Sequence, residues 1–132
     1  MKRVFLITII SIVLISCSKN SEQINIAKNE VEKNLSDIEK KDVNYTCIEI
    51  SDKEAYNEIL KYHQRKYDLA QSFYEQSRCQ KLIKNDLTKL SSLKGTSKYY
   101  KILAVKTTPD TIFYTKTYLD NNNKIVVTQY LK

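Results

Sequence analysis

The sequence predicts an α+β fold, because helical and strand periodicities occupy separate parts of the chain. Apolar residues recur every three or four positions through most of the first two thirds, which is typical of amphipathic helices. Three segments in the last third alternate apolar and polar side chains, which is typical of half-buried strands. Gly95 is the only glycine and Pro109 the only proline, so we expect long elements and few tight turns.

A first amphipathic helix and a short strand are predicted at the start of the domain. The helix has apolar residues at steps of three or four, at Ile24, Ala27, Val31, Leu35 and Ile38. The pattern ends near Lys40–Lys41, whose positive charge suits a helix C-terminus. The β-branched and aromatic residues of Val43–Ile50 then predict a short strand, although its pairing partner cannot be identified from the sequence.

A long helical hairpin is predicted to follow this strand. Ser51-Asp52-Lys53-Glu54 fits a capping box, in which the Ser hydroxyl accepts a hydrogen bond from the Glu amide. A single helix from 51 to 94 would be about 66 Å long, whereas a domain of this size has a radius of gyration near about 13 Å. We therefore expect a turn near Gln76–Cys79, and a second helix that ends just before Gly95.

An antiparallel three-stranded meander is predicted at the C-terminal end. Its strands are Tyr99–Thr107, Thr111–Leu119 and Lys124–Leu131. Pro109 lies in the first connection and Asp120-Asn121-Asn122-Asn123 forms the second, and both are typical turn sequences. We expect two or three helices to pack on one face of a sheet made by the meander and the 43–50 strand.

The N-terminal segment has the organisation of an export signal. Lys2 and Arg3 precede the uncharged stretch Val4–Ile15, and Ser16 then precedes Cys17. This arrangement resembles the bacterial lipoprotein signal, which implies a lipid on the Cys17 thiol and cleavage before it. An ordinary signal peptide and a membrane helix are the alternatives. The uncharged stretch would cover only about 18 Å of a hydrocarbon core of about 30 Å, which argues against a membrane span.

These features predict a signal peptide at 1–16, a lipidated cysteine and tether at 17–23, and a single α+β domain at 24–132. The residues after Cys17 lack the acidic run of surface-exported Bacteroidota lipoproteins. Ser18 also differs from the Asp that marks inner-membrane lipoproteins in enteric bacteria. We therefore expect an outer-membrane lipoprotein that faces the periplasm, with the inner membrane as the alternative.

The order of the elements and four short motifs resemble a group of small lipoproteins from Bacteroidota. The motifs are Val31–Leu35, Tyr45–Ile48, Tyr100–Val105 and Phe113–Asp120. The chain departs from the group in its shorter helical region and in lacking a basic, glycine-containing stretch between the first two meander strands. The group has no established activity, so the resemblance implies a fold and no site residues.

Two cysteines, Cys47 and Cys79, remain when Cys17 is assigned to the lipid. In an oxidising compartment they can form a disulfide, which would close a loop of about 33 residues and contribute about 3–4 kcal/mol. Two reduced, buried cysteines are the alternative. No CxxC motif or histidine cluster accompanies them, so we expect no metal site.

The chain has a formal net charge of +7, and its charge is unevenly distributed. The stretch from Lys61 to Lys106 contains eleven basic and three acidic residues. An exported protein meets lipid phosphates and acidic glycans, so we expect no nucleic-acid partner. The residues predicted to contact such an anionic surface are Lys61, Arg65, Lys66, Arg78, Lys81, Lys84 and Lys89. A solvated helix face is the alternative reading of these charges.

The sequence contains no recognisable catalytic constellation or cofactor motif. His63 is the only histidine, and its place on the apolar face of a helix predicts a packed or half-buried side chain. The ten tyrosines either form a sugar-binding or protein-binding surface or surround a small core.

We therefore expect a membrane-anchored, non-enzymatic binding or scaffold protein of the envelope, with an envelope protein or glycan as its partner. The alternative is a glycan or peptidoglycan hydrolase that uses a carboxylate site.

Overall fold

The computed structural model describes residues 20–108 and 112–131. The predicted signal peptide, Cys17 and most of the tether lie outside the described residues, as does the turn containing Pro109. The elements in chain order are α1 Ser21–Glu32, β1 Asn44–Ser51, α2 Asp52–Leu69, α3 Phe73–Ser92, β2 Lys98–Thr107, β3 Ile112–Leu119 and β4 Ile125–Leu131.

The four strands form one antiparallel sheet in the order β1-β2-β3-β4. The predicted C-terminal meander is present, and β1 pairs with its first strand, so that Ile50 lies opposite Tyr99. Lys101 of β2 lies opposite Tyr118 of β3. The register of β3 and β4 shifts between Tyr118 and Leu119, which indicates a β-bulge. The chain therefore has the predicted α+β fold.

The helices pack on both faces of the sheet: the prediction that two or three helices share one face holds for the two helices of the hairpin and is wrong for α1. On one face, which we call the hairpin face, Ala55 and Ile59 of α2 pack against Ile50, Tyr99 and Tyr118. On the opposite face, which we call the α1 face, Ala27 of α1 packs against a separate cluster of sheet residues, Ile102 and Leu119.

Helices cover both faces of the sheet because β2 has apolar or long side chains on each of its two faces. Tyr99 belongs to the cluster on the hairpin face, whereas Ile102 belongs to the cluster on the α1 face. Successive side chains of a strand point to opposite faces, so each face of β2 needs its own cover. The sequence predicts the strand but does not say which helix covers which face.

The first helix ends at Glu32, earlier than the apolar periodicity predicts. Ser36 and Glu39 form a reciprocal pair: the Ser36 amide donates to Glu39 Oε2 at 2.7 Å, and the Glu39 amide donates to Ser36 Oγ at 3.4 Å. These side chains satisfy backbone amides locally and favour a new turn over continued helix. Ile38, predicted to be on the buried face, is therefore 78% exposed.

The helical hairpin is present, but it turns six residues or so earlier than predicted, between Leu69 and Phe73. Ser72 starts α3: its Oγ accepts from the Glu75 amide at 3.2 Å, while Glu75 Oε2 accepts from the Gln71 amide at 3.1 Å. A Ser and a Glu three residues apart are a helix-start signal, and the same spacing at Ser51–Glu54 correctly predicts the start of α2. The turn could therefore have been located from the sequence.

Among the described residues, no helix is both long enough and apolar enough to cross a membrane.

Candidate functional site

A large cavity lies between the helical hairpin and the edge strand β4. Its volume is about 530 Å³, within the size range of small-molecule and side-chain binding sites. It is lined by Tyr62, His63, Lys66, Leu69, Ala70, Glu75, Arg78, Cys79, Leu82, Val127 and Thr128. Leucine, alanine and valine side chains therefore form part of its walls, and charged side chains accompany them.

A buried His–Asp pair joins the two helices of the hairpin, and its histidine lines this cavity. His63 Nδ1 of α2 is 2.5 Å from Asp86 Oδ2 of α3, and both residues are buried. His63 matches the prediction of a packed histidine. Asp86 was not among the predicted site residues. It follows Cys79 by seven residues, about two helical turns, so it lies on the same buried face of α3. A carboxylate on such a face indicates a polar partner on the helix that packs against it.

The charged lining of the cavity is mainly basic. Lys66 and Arg78 are exposed residues that line it from α2 and α3, together with one carboxylate, Glu75. The Lys66 ammonium group lies 5.1 Å from the centre of the Tyr62 ring, which is cation–π geometry. A ligand with an acidic group therefore meets a favourable charge at this cavity.

The turn of the hairpin exposes three large apolar side chains. Leu69 is 73% exposed, Phe73 is 85% exposed and Tyr74 is 77% exposed. Leu69 also lines the cavity, so the exposed apolar residues, which we call the hairpin tip, are continuous with it. Large apolar side chains gathered at one exposed place are characteristic of interaction sites.

A second, smaller pocket of about 110 Å³ lies between α2 and the strands β3 and β4. It is lined by Glu58, Lys61, Tyr62, Arg65, Lys116, Tyr118 and Gln129. Tyr62 lines both this pocket and the larger cavity, so the two sites are neighbours.

Glu58, in the second turn of α2, is held as a carboxylate at this pocket. Tyr118 Oη donates a short hydrogen bond to Glu58 Oε2, and Lys101 Nζ lies 2.9 Å from Glu58 Oε1. Burial raises the pKa of the Glu58 carboxyl, but the hydrogen bonds from Tyr118 and Lys101 outweigh burial, so its pKa lies below the usual value. Burial, and then the hydrogen bond to Glu58, raise the pKa of the Tyr118 hydroxyl. A lowered pKa suits an ion-pair partner and does not suit a general acid.

The seven basic residues predicted to contact an anionic surface are all exposed, but they are distributed over several sites. Lys61 and Arg65 line the small pocket, and Lys66 and Arg78 line the large cavity. Lys84 borders a shallow groove on the hairpin with Tyr67 and Leu87. Lys89 lines a further cavity beside Asp86. Lys81 lines none of these sites. The structure therefore divides this basic set, and only parts of it converge.

Cys47 and Cys79 are both free, so the disulfide considered above is not formed. Cys47 packs against the Ala27 cluster on the α1 face, whereas Cys79 lines the cavity on the hairpin side of the sheet. The sheet separates them, and a disulfide needs Cα atoms within about 7 Å. Burial, with the nearby Glu49 carboxylate, raises the pKa of the Cys47 thiol to about 11.

Within residues 20–108 and 112–131, no group of three or more His, Cys, Asp or Glu residues is arranged to hold a metal ion.

Comparisons with protein-family models, with curated proteins and with solved structures give no match. The geometry of the hairpin and its cavities is therefore the basis for a functional proposal.

Proposed function

We propose that this chain is a lipid-anchored envelope protein that binds a partner protein, without catalysis, through the hairpin tip and the adjoining cavity. The predicted lipidated Cys17 would hold the domain at the membrane, on the periplasmic side of the outer membrane. The bound segment of the partner would place an apolar side chain in the cavity and an acidic group beside Lys66 and Arg78.

The observation that carries this proposal is the exposure of Leu69, Phe73 and Tyr74 at the hairpin tip. Each of these side chains would be expected to contribute about 1.5–3 kcal/mol if it were fully buried. No described residue covers them. Aromatic residues and arginine are enriched where proteins bind each other, and here Phe73 and Tyr74 lie within two turns of Arg78.

The cavity adds a place for an anchoring side chain. A volume of about 530 Å³ holds even the largest side chain with room for its neighbours. Leu82 and Val127 provide apolar contacts, and Lys66 and Arg78 provide positive charge. This pairing supports a partner segment in which an apolar residue and an acidic residue are close together in sequence.

Photocrosslinking in intact cells tests the proposal. The photoreactive residue p-benzoylphenylalanine replaces Phe73 at the hairpin tip or, as a positional control, Thr88. Thr88 is also exposed on α3 and lies about 22 Å further along the helix. We expect a discrete protein adduct from position 73 and none from position 88.

A second variant links the adduct to the cavity. Leu69→Asp places a carboxylate at the cavity entrance and should abolish the adduct from position 73, while the circular dichroism spectrum stays unchanged. Equal adducts from positions 73 and 88, or an adduct that survives Leu69→Asp, would contradict the proposal. An adduct to lipid alone would identify the tip as a membrane-inserting element instead.

A second candidate function is hydrolysis of an envelope glycan or peptidoglycan. The observation that favours it is the His63–Asp86 pair, whose His63 lines the same cavity as Cys79. Asp86 engages Nδ1 of His63, so Nε2 is the nitrogen that would accept a proton. Turnover of such a substrate that is lost in Asp86→Asn and kept in Asp68→Asn, an exposed position, would favour this candidate.

A further inference from the structure

We propose that the small pocket between α2 and the strands β3 and β4 binds a phosphate group. The pocket is distinct from the cavity of the proposed function, with which it shares Tyr62, and its test does not depend on what that cavity binds. Three kinds of observation support the site: an unpaired buried donor, three converging cations and a volume sufficient for a phosphate group.

The unpaired donor is the side-chain amide of Gln129. Gln129 lines the pocket and is only 4% exposed, and its Nε2 has no hydrogen-bond acceptor among the described residues. Burying an amide N–H without an acceptor is costly, so such groups are rare in folded proteins. An oxygen atom of a bound anion would supply the missing acceptor.

The three cations come from two different elements. Lys61 and Arg65 are one helical turn apart on α2, and Lys116 is on β3 directly opposite Gln129. None of the three has a salt-bridge partner within the part of the chain that the structure describes. Arginine and lysine together are a common combination for binding phosphate, because they offer several N–H donors and positive charge.

The one carboxylate in the pocket does not cancel this charge. Glu58 is paired with Lys101 at 2.9 Å and accepts the Tyr118 hydroxyl, so its charge is compensated mainly from behind the pocket, with a smaller electrostatic contribution from Lys116. The pocket therefore presents the charges of Lys61, Arg65 and Lys116 to an incoming anion.

The volume of about 110 Å³ corresponds to about four water molecules in the liquid. That space is sufficient for a single tetrahedral oxyanion. A larger ligand would place only its phosphate group here. The phosphate could be free in solution or esterified, as in a lipid headgroup, and the chemistry of recognition is the same in both cases.

Isothermal titration calorimetry of the full-length mature protein, in an uncharged detergent and a phosphate-free buffer, tests the site. Inorganic phosphate is the probe, glycerol 3-phosphate represents an esterified headgroup, and acetate tests the charge alone. We expect saturable binding of phosphate at one site per chain. Tighter binding of glycerol 3-phosphate would assign the site to a phosphate ester, and equal binding would assign it to free phosphate.

Three variants locate the site. Gln129→Met removes the buried donor at similar volume, and Lys116→Gln removes a cation, and each should weaken phosphate binding about tenfold. Lys81→Gln makes the same charge change at an exposed lysine outside the pocket and should alter binding by less than about twofold. Circular dichroism of each variant shows whether it is folded, and Lys116→Gln carries the test if Gln129→Met is not.

The proposal is overturned if phosphate does not bind saturably, or if acetate binds as tightly as phosphate. It is also overturned if Lys81→Gln weakens binding as much as Lys116→Gln does, because the charge effect would then be unspecific.

Discussion

Tyr118 of β3 donates a hydrogen bond to the Glu58 carboxylate of α2, and this contact ties the centre of the sheet to the helical hairpin. Tyr118 is fully buried, and Glu58 also accepts from Lys101. Tyr118 and Glu58 both line the small pocket, and this hydrogen bond holds them in place.

Replacing Tyr118 with Phe should destabilise the protein by about 1–3 kcal/mol. The substitution keeps the ring but removes the donor, so that the partly buried Glu58 loses one of its two hydrogen-bond partners. Urea unfolding followed by circular dichroism measures the change. Tyr74→Phe is the matched control, since Tyr74 is 77% exposed, and it should change stability by less than about 0.5 kcal/mol. Equal effects of the two variants would show that the Tyr118 hydroxyl contributes nothing.

The same cluster predicts a loss of stability in acid. The folded-state pKa of Glu58 lies below its ordinary value of 4.5, so its stabilising effect is complete above about pH 4.5. That effect is lost as the pH falls through the lower folded-state pKa. We expect Glu58→Gln to be less stable than the natural chain at pH 7, and the difference to shrink at pH 3. A difference that stays constant between the two pH values would contradict this assignment.

The helix-start signals show how much of this fold the sequence carries. Ser51–Glu54 locates the start of α2, and the equivalent Ser72–Glu75 pair locates the start of α3, although chain dimensions alone suggested a later turn. Both signals are local, because each is complete within four residues. The alternation of the C-terminal strands is also local, and the predicted meander is present.

The features that the sequence does not reveal depend on contacts between distant residues. The pairing of β1 with β2 joins segments about fifty residues apart, as in the pair Ile50–Tyr99. The position of α1 on the opposite face depends on which helix packs against each face of β2. His63 and Asp86 are 23 residues apart, so neither position identifies the other without the turn of the hairpin. The residues of both pockets are likewise brought together by this packing.

The His63–Asp86 contact should be important for packing of the two hairpin helices. Asp86→Ala leaves the buried His63 Nδ1 without its partner and should cost about 1–3 kcal/mol in the free energy of unfolding. Asp68→Ala removes an exposed carboxylate from the same hairpin and should have little effect. Urea unfolding distinguishes them. A neutral result for Asp86→Ala would mean that the pair does not stabilise the hairpin.

The thiol chemistry of the mature chain should show two free cysteines. Alkylation with iodoacetamide after denaturation, without reductant, should add two groups, one each at Cys47 and Cys79. In the folded protein Cys47 should react slowly at pH 8, because a pKa of about 11 leaves about one thiolate in a thousand. Mass spectrometry of the digested protein follows both sites. A disulfide-linked peptide containing Cys47 and Cys79 would contradict the structure.

The basic residues of the hairpin allow a test of surface orientation with the lipid removed. A fragment beginning at Ser18 should bind vesicles of anionic lipid weakly through residues such as Lys61, Arg65, Lys81 and Lys84. It should not bind neutral vesicles. This binding should disappear at about 0.5 M salt, where charges separated by more than a few ångströms are screened. Binding in a vesicle flotation assay that is insensitive to salt, or absent at low salt, would show that these side chains are simply solvated.

The measurement that most directly tests the partner-binding proposal is the yield of the crosslinked adduct from position 73 in cells that produce the Arg78→Glu variant. Arg78 lines the cavity next to the hairpin tip, so reversal of its charge should repel the acidic group of the partner and reduce the yield at least about tenfold. Lys81→Glu makes a matched reversal on the same helix, outside the cavity, and should leave the yield within about twofold of the unmodified chain. Equal yields from the two variants would contradict the proposal that the cavity and the hairpin tip bind one acidic, apolar segment.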